Sequence, residues 1–167
     1  NSEELEFLKV NLKIPKTKYL TFDEVAKLMK KEKIKIPEHD LSGEAEKKLG
    51  DLFPDTIVFV TDWPIKGKPF YIMPDGENSK GFDAIWKGLE ISSGGQRIHE
   101  PELLKKQLKA NGMDPKNFKE YINSFKYGAP PHAGWALGLE RITMLMLGIE
   151  NIREVTLFPR DRDRLSP

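Results

Sequence analysis

Side-chain polarity alternates with a period of two from Phe82 to Ser92, FDAIWKGLEIS, and the run predicts a β-hairpin turning at Lys87-Gly88. Pairing across that turn sets Trp86 opposite Leu89, Ile85 opposite Glu90, Ala84 opposite Ile91 and Asp83 opposite Ser92. One face then collects Phe82, Ala84, Trp86, Leu89 and Ile91, and the other Asp83, Ile85, Glu90 and Ser92. Strict alternation leaves Ser93 and Arg97 on the face opposite Glu90. A bulge between Glu90 and Gly95 would bring both round to join it.

The rest of the chain alternates between helical and extended patterns. Residues 1–10 carry a weak helical pattern, and 11–18, interrupted by Pro15, predict an extended linker. Thr21-Phe22-Asp23-Glu24 is a capping box that starts a helix running to about Glu32, and Ser42 caps a second helix closed by Gly50. The β-branched and aromatic run 56–61, apolar on both faces, predicts a central strand; 69–73 is the next strand, and 74–81 a polar connector. Glu100-Pro101 opens a helix with Leu103, Leu104 and Leu108 on one side, ending at Asn111-Gly112. Asp114-Pro115 opens another, with Phe118, Tyr121, Ile122 and Phe125 as its buried stripe and Gly128 as its stop.

Beyond it, 128–138 predicts a loop held at its prolines and open at its glycines, 139–147 a helix apolar nearly all round and therefore buried, 152–158 a strand, and 159–167 a charged tail. The sum is an α+β fold, a mostly antiparallel sheet flanked by helices. It is expected to form one unit over 1–167, with a helical and linker segment at 1–55 and the sheet at 56–167.

Composition narrows the function. With 38% hydrophobic and 32% charged residues the chain can bury a core, and no apolar run is long enough for a membrane span. The cysteine count is zero, which removes disulfides, thiolate zinc sites and a cysteine nucleophile, and the three histidines lie far apart in sequence. Net charge is +1, so no global field holds nucleic acid. With no leader pattern present, a cytoplasmic location is the expectation.

Two places carry unusual charge. Carboxylates sharing a sheet face repel, and partial burial sharpens the repulsion unless a cation lies between them. Asp83 and Glu90 therefore admit two readings, the wet face of an antiparallel sheet or oxygen ligands of a divalent metal. Arg97, just past Gly94-Gly95, offers a planar fork suited to a carboxylate or phosphate. Arg141 stands in the first turn of its helix, where the dipole disfavours a cation by roughly 0.3–1 kcal/mol. It needs an anion, either Glu140 beside it or a phosphate at the helix end.

The segments KPFYIMPD, FDAIWKGLEISSGGQRIHE, YGAPPHAGWALGLERI and NIREVTLFPRDRDRLSP resemble the C-terminal part of the catalytic domain of aspartyl-tRNA synthetases of the archaeal and eukaryotic type, which are class II enzymes. The resemblance keeps consistent spacing from about residue 62 to 167 and is looser before it. The FPRDxxRLxP ending distinguishes the aspartyl group from its asparaginyl relatives.

By this resemblance, Asp83 and Glu90 match the acids that hold the magnesium ions of ATP, and Ser93 matches the serine that shares that metal site beside the substrate. Arg97 matches the arginine that binds the side-chain carboxylate of aspartate. Arg141 matches the motif 3 arginine along ATP, and Gly138 the glycine where the nucleotide packs close; Glu90 and Arg141 would act in catalysis.

The resemblance implies ATP and Mg2+ as cofactors, aspartate and tRNA as partners, no membrane, a homodimer, and a ligase that makes aspartyl-adenylate and transfers it to tRNA. Ala136 departs from a position where the family commonly has glycine. Neither an anticodon-binding barrel nor motifs 1 and 2 lie within these residues, so the resemblance implies a partial catalytic domain. An aspartate-activating paralogue that makes asparagine, and a noncatalytic module, are the competing expectations.

Overall fold

The computed structural model describes residues 2–166. Asn1 and Pro167, the ends of the first helical pattern and of the charged tail, lie outside the described residues. After a short helix α1 (Ser2–Phe7), the expected linker becomes a strand from its sixth residue, β1 (Lys16–Thr21), which lies parallel to β2 (Thr56–Thr61) with Lys16 facing Thr56. Between them run α2 (Phe22–Lys31) and α3 (Gly43–Leu52). The α2 capping box is complete: Thr21 Oγ1 accepts from Glu24 N–H, and Glu24 Oε2 accepts from Thr21 N–H at 2.8 Å.

Helix α3 does not close at Gly50 but continues to Leu52. Gly50 is there for approach, since a Cβ would stand 2.4 Å from Gly88 N in the hairpin turn.

The expected strand at 69–73 is absent. Ile72 N–H turns back to Pro69 O, so the segment meets the sheet only at the Ile72–Arg97 bridge and the flanking bonds Met73 N–H to Gln96 O and Ile98 N–H to Tyr71 O. The polar connector forms a small hairpin, β3 (Pro74–Asp75) with β4 (Asn78–Ser79). The main hairpin follows as β5 (Gly81–Trp86) and β6 (Leu89–Arg97), turning at Lys87-Gly88 with Lys87 at φ 47°.

Helices α4 (Pro101–Ala110) and α5 (Lys119–Phe125) come next, the latter shortened because Pro115–Phe118 winds as a 3-10 turn. Residues 128–138 then correct the loop expectation, for β7 (His132–Leu137) pairs antiparallel with β6 along its whole length. Helix α6 (Leu139–Leu147) is where the pattern places it but is not buried; one stripe, Ile142, Leu145 and Met146, packs on the sheet, and Leu139 is 68% exposed. Residues 152–158 form no strand. Asn151 caps a 3-10 turn over Ile152–Val155, and Leu157 is exposed. In the tail, Arg153 pairs with Asp161 at 2.9 Å and Arg162 lies 3.6 Å from Asp163.

The five-stranded sheet has the order β1-β2-β5-β6-β7, antiparallel except for the first pair, which places β2 inside it as expected. Val58, Val60 and Ile85 on one face pack under α2 and α3 with Val25, Met29 and Leu49. Ala84, Trp86 and Ile91 on the other face pack under α6. No helix among the described residues is long and apolar enough to cross a membrane.

Candidate active site

The hairpin register starts as the alternation dictates, Trp86 facing Leu89 and Ile85 facing Glu90, and then slips. Ala84 faces Ser92 and Asp83 faces Ser93, one residue beyond the expected partners. Ile91 is the extra residue of a β-bulge, and its side chain drops into the apolar cluster with Ala84 and Trp86. The extra residue sets Ser92 opposite Ala84, and so rotates Ser93, and four residues on Arg97, onto the face of Asp83 and Glu90. The bulge is thus where the polarity pattern demanded it, and Asp83, Glu90, Ser93 and Arg97 share one face of the sheet.

The bulge also frees the backbone of Glu90, which two side chains capture. Its N–H donates to Glu46 Oε2 of α3 at 3.2 Å, and its C=O accepts from Arg141 Nη1 of α6 at 2.7 Å. Arg141 therefore does not pair with Glu140; its guanidinium spans from α6 to the hairpin and answers the dipole with a carbonyl oxygen. Gly138, the N-cap of α6, is tied to the same bulge by its N–H to Ile91 O at 2.8 Å, and a Cβ on it would press on Arg141 Cδ at 3.3 Å.

Burial raises the Asp83 carboxyl above the ordinary carboxylate value, with the charge and hydrogen bond of Lys68 opposing and Asp40 adding to the rise. Burial, and next the Asp83 charge, raise Glu90, against Arg141, Lys68 and a hydrogen bond from Ser93. Glu46 rises too, by burial first, despite its bond to Glu90 N–H. Burial thus disfavours negative charge at each of these acids.

The residues fit a hard divalent cation. The donors are all oxygen, and among the described residues no three acids or histidines cluster as a protein-only cage, which suits a magnesium ion that takes one or two carboxylates and completes its shell from phosphate and water. An ammonium already stands on one of the two carboxylates, for Lys68 pairs with Asp83.

A cavity of about 180 Å3 opens beside Asp83, lined by Lys68, Tyr71, Asp83, Ser93, Arg97 and Gly134 among others. Arg97 has no carboxylate partner among the described residues. Its guanidinium carbon lies 4.7 Å from the centroid of the Tyr71 ring, and a Cβ at Gly134 would stand 2.6 Å from Nε and 2.9 Å from Nη2. The guanidinium is a flat plate against an aromatic ring and bare backbone, with its hydrogen-bonding capacity unspent among the described residues. Ala136 is on the same face, opposite Ser93, and its methyl lines the cavity.

Polarity and spacing single out Asp83, Glu90, Arg97 and Arg141, and the resemblance adds Ser93 and Gly138. They leave out Lys68, Tyr71, Glu46 and Gly134. Lys68 and Tyr71 lie in the KPFYIMPD segment, whose position in the sequence carries no sign that it folds back onto the hairpin.

The family model of class II tRNA synthetases (D, K and N) matches residues 3–162. The chain is 46% identical over 171 residues to the aspartate–tRNA(Asp/Asn) ligase of Methanocaldococcus jannaschii, covering 99% of this chain and 39% of that protein. It is 40% identical over 173 residues to the aspartate–tRNA(Asp) ligase of Thermoplasma acidophilum, covering 100% and 40%. The chain thus spans about two fifths of the length of the curated relatives it matches.

Among solved structures, the aspartyl-tRNA synthetase of Entamoeba histolytica superposes with a TM-score of 0.85 at 44% identity, over 90% of this chain and 33% of that one. The asparaginyl-tRNA synthetase of Pyrococcus horikoshii complexed with asparaginyl-adenylate superposes with a TM-score of 0.89 at 29% identity, over 99% and 41%. The bulged hairpin, its acids and the helix that grips it from the far side are built on a synthetase sheet, and the chain belongs to the class II tRNA synthetases of the D, K and N group.

Proposed function

We propose that this chain forms the ATP- and amino-acid-binding half of a catalytic domain that activates aspartate to aspartyl-adenylate and transfers it to tRNA. The observation that carries the reading is the convergence of Asp83 and Ser93 with an unpaired guanidinium, Arg97, around one cavity, with Glu90 on the same face of the sheet. An arginine fixed flat and left without an acid inside the protein is suited to take a carboxylate from outside it, as a bidentate pair. Aspartate carries a side-chain carboxylate that asparagine lacks, so Arg97 would set the choice between them.

Asp83, Glu90 and Ser93 would hold magnesium, which when bound neutralises phosphate charge. Arg97 orients aspartate by its side chain and leaves the α-carboxylate free to attack the α-phosphorus of ATP. The new P–O bond forms as the bond to the leaving pyrophosphate breaks, and no side-chain nucleophile takes part. Arg141, anchored on Glu90 O, would lie along ATP, and Gly138 would let the nucleotide pack close. The whole protein would use tRNA as its second substrate, assemble as a homodimer and work in the cytoplasm, with residues 1–55 and 56–167 acting as one portion of its catalytic domain.

ATP–pyrophosphate exchange by the full-length protein carrying this chain tests the reading. Exchange is expected with aspartate and not with asparagine. Arg97→Leu should abolish it while ATP binding, followed by a fluorescent ATP analogue, persists. Equal exchange with asparagine would sink the specificity assignment, and no ATP binding would sink the site.

A further inference from the structure

Lys68 enters the site from a segment to which no role attaches by pattern. It follows the 3-10 turn Ile65–Gly67, closed by Lys68 N–H to Ile65 O at 3.2 Å, and its side chain reaches back to β5. Its ammonium pairs with Asp83 Oδ2 at 2.5 Å, both side chains being nearly enclosed at 12% and 14% exposure. The same nitrogen lies 3.8 Å from the centroid of the Trp63 ring. Trp63 cannot drift: it is 2% exposed, its indole N–H donates to Val60 O at 2.9 Å, and its ring lies against Phe22 at 4.9 Å between centroids. A carboxylate on one side and a fixed π face on the other cage the ammonium.

Charge at the site makes that cage more than local packing. Asp83 and Glu90 repel each other, and Lys68 is the one cation in direct contact with either carboxylate among the described residues, since Arg141 reaches only the backbone oxygen of Glu90. Lys68 also lines the cavity shared with Ser93 and Arg97. A divalent ion on Asp83 Oδ2 and the Lys68 ammonium would compete for one oxygen.

We propose that Lys68 is a positioning residue, a built-in monovalent counter-ion that holds Asp83 in its ligating place while no divalent cation is bound and yields Asp83 Oδ2 when one binds. The inference rests on the metal-platform reading above. On release, the ammonium keeps the Trp63 face and turns to the cavity, where it meets an incoming anion. The site thereby exchanges an internal ion pair for a metal without leaving Asp83 unpaired at any stage.

Mn2+ serves as the probe, titrated without ATP into the protein carrying this chain and followed by electron paramagnetic resonance of the free ion. Lys68→Met should bind Mn2+ roughly tenfold tighter than the parent, because a unit positive charge beside the ligand is gone. Lys68→Arg, which keeps the charge, should stay near the parent, and Asp83→Asn should lose binding. A second measurement needs only the parent: acetylation of Lys68, read by mass spectrometry, should rise with Mn2+ occupancy as the ammonium leaves its cage. Parent binding with Lys68→Met equal or weaker, or Lys68 labelling flat across the titration, overturns the proposal alone. Absence of Mn2+ binding in both parent and Lys68→Met removes the metal platform together with it.

Discussion

Gly134→Ala tests the plate that holds Arg97. The added Cβ would stand 2.6 Å from Arg97 Nε, 2.9 Å from Nη2 and 3.2 Å from Cζ, and the Tyr71 ring centroid lies 4.7 Å from that Cζ. The guanidinium must retreat by about 1 Å to restore van der Waals contact, which disturbs its seat on the Tyr71 ring. Loss of the cation–π contact costs about 0.5–1 kcal/mol, which lowers the thermal midpoint of a chain this size by roughly 1–4 °C.

The effect on chemistry should be larger than the effect on stability. A displacement of about 1 Å at a bidentate carboxylate contact costs up to about 100-fold, so the KM for aspartate should rise by roughly 10- to 100-fold in pyrophosphate exchange while the KM for ATP stays within about twofold. Tyr71→Phe, which keeps the ring, should resemble the parent. An unchanged aspartate KM in a folded Gly134→Ala protein would refute the idea that this backbone fixes Arg97, and parallel rises in both KM values would point to general distortion instead.

Thr21→Ala removes the side-chain half of the α2 capping box, the Oγ1 that accepts from Glu24 N–H, and should cost about 1 kcal/mol in urea unfolding with an unchanged slope. Gly50→Ala gains about 1 kcal/mol of helix propensity but drives a Cβ to 2.4 Å from backbone that cannot swing aside, so a net loss of roughly 1–3 kcal/mol is expected; a stabilised variant would show that α3 and the hairpin turn are not in close contact.

Glu90→Gln should change the dependence of stability on pH. Burial and the Asp83 charge hold the Glu90 carboxyl above 4.5, so through the window from 4.5 to its raised value the folded chain binds more proton than the unfolded one, and stability falls as pH rises. The amide does not titrate, so the variant should gain on the parent as pH rises through that window and keep its gain at neutral pH. Denaturant midpoints at a series of pH values check this, and a variant that instead loses ground with rising pH would refute it.

Local chemistry made much of the fold legible. The Thr21 box and the cap at Ser42 start helices where their side chains reach backbone N–H groups three residues on, which depends on nothing distant. The hairpin and its bulge were legible because polarity can be satisfied in only one way. Alternation alone buries Ile91 with Ala84 and Trp86 and turns Glu90 away from them, and one extra residue after Glu90 is what brings Ser93 and Arg97 to its face. The strand at 69–73 misled because its residues are apolar for a different purpose: Phe70 packs with Phe118 and Tyr121, and Met73 with Ile98 and Leu104, while Pro69 turns the backbone out of the ladder.

The strand β7 was hidden by its glycine. Gly134 reads as loop material, yet it is required in a strand because the Arg97 guanidinium lies against it. By itself, then, the sequence determined the elements whose signals are local, the face on which Asp83 and Glu90 lie, and the need for a bulge to bring Ser93 and Arg97 to them. Only the tertiary structure decided what those charges meet: Lys68 on Asp83, the Glu90 carbonyl rather than Glu140 on Arg141, and Tyr71 with Gly134 around Arg97. Periodicity records which way a side chain faces along its own strand, whereas a charge's partner depends on which distant segment the fold carries within a few ångströms of it.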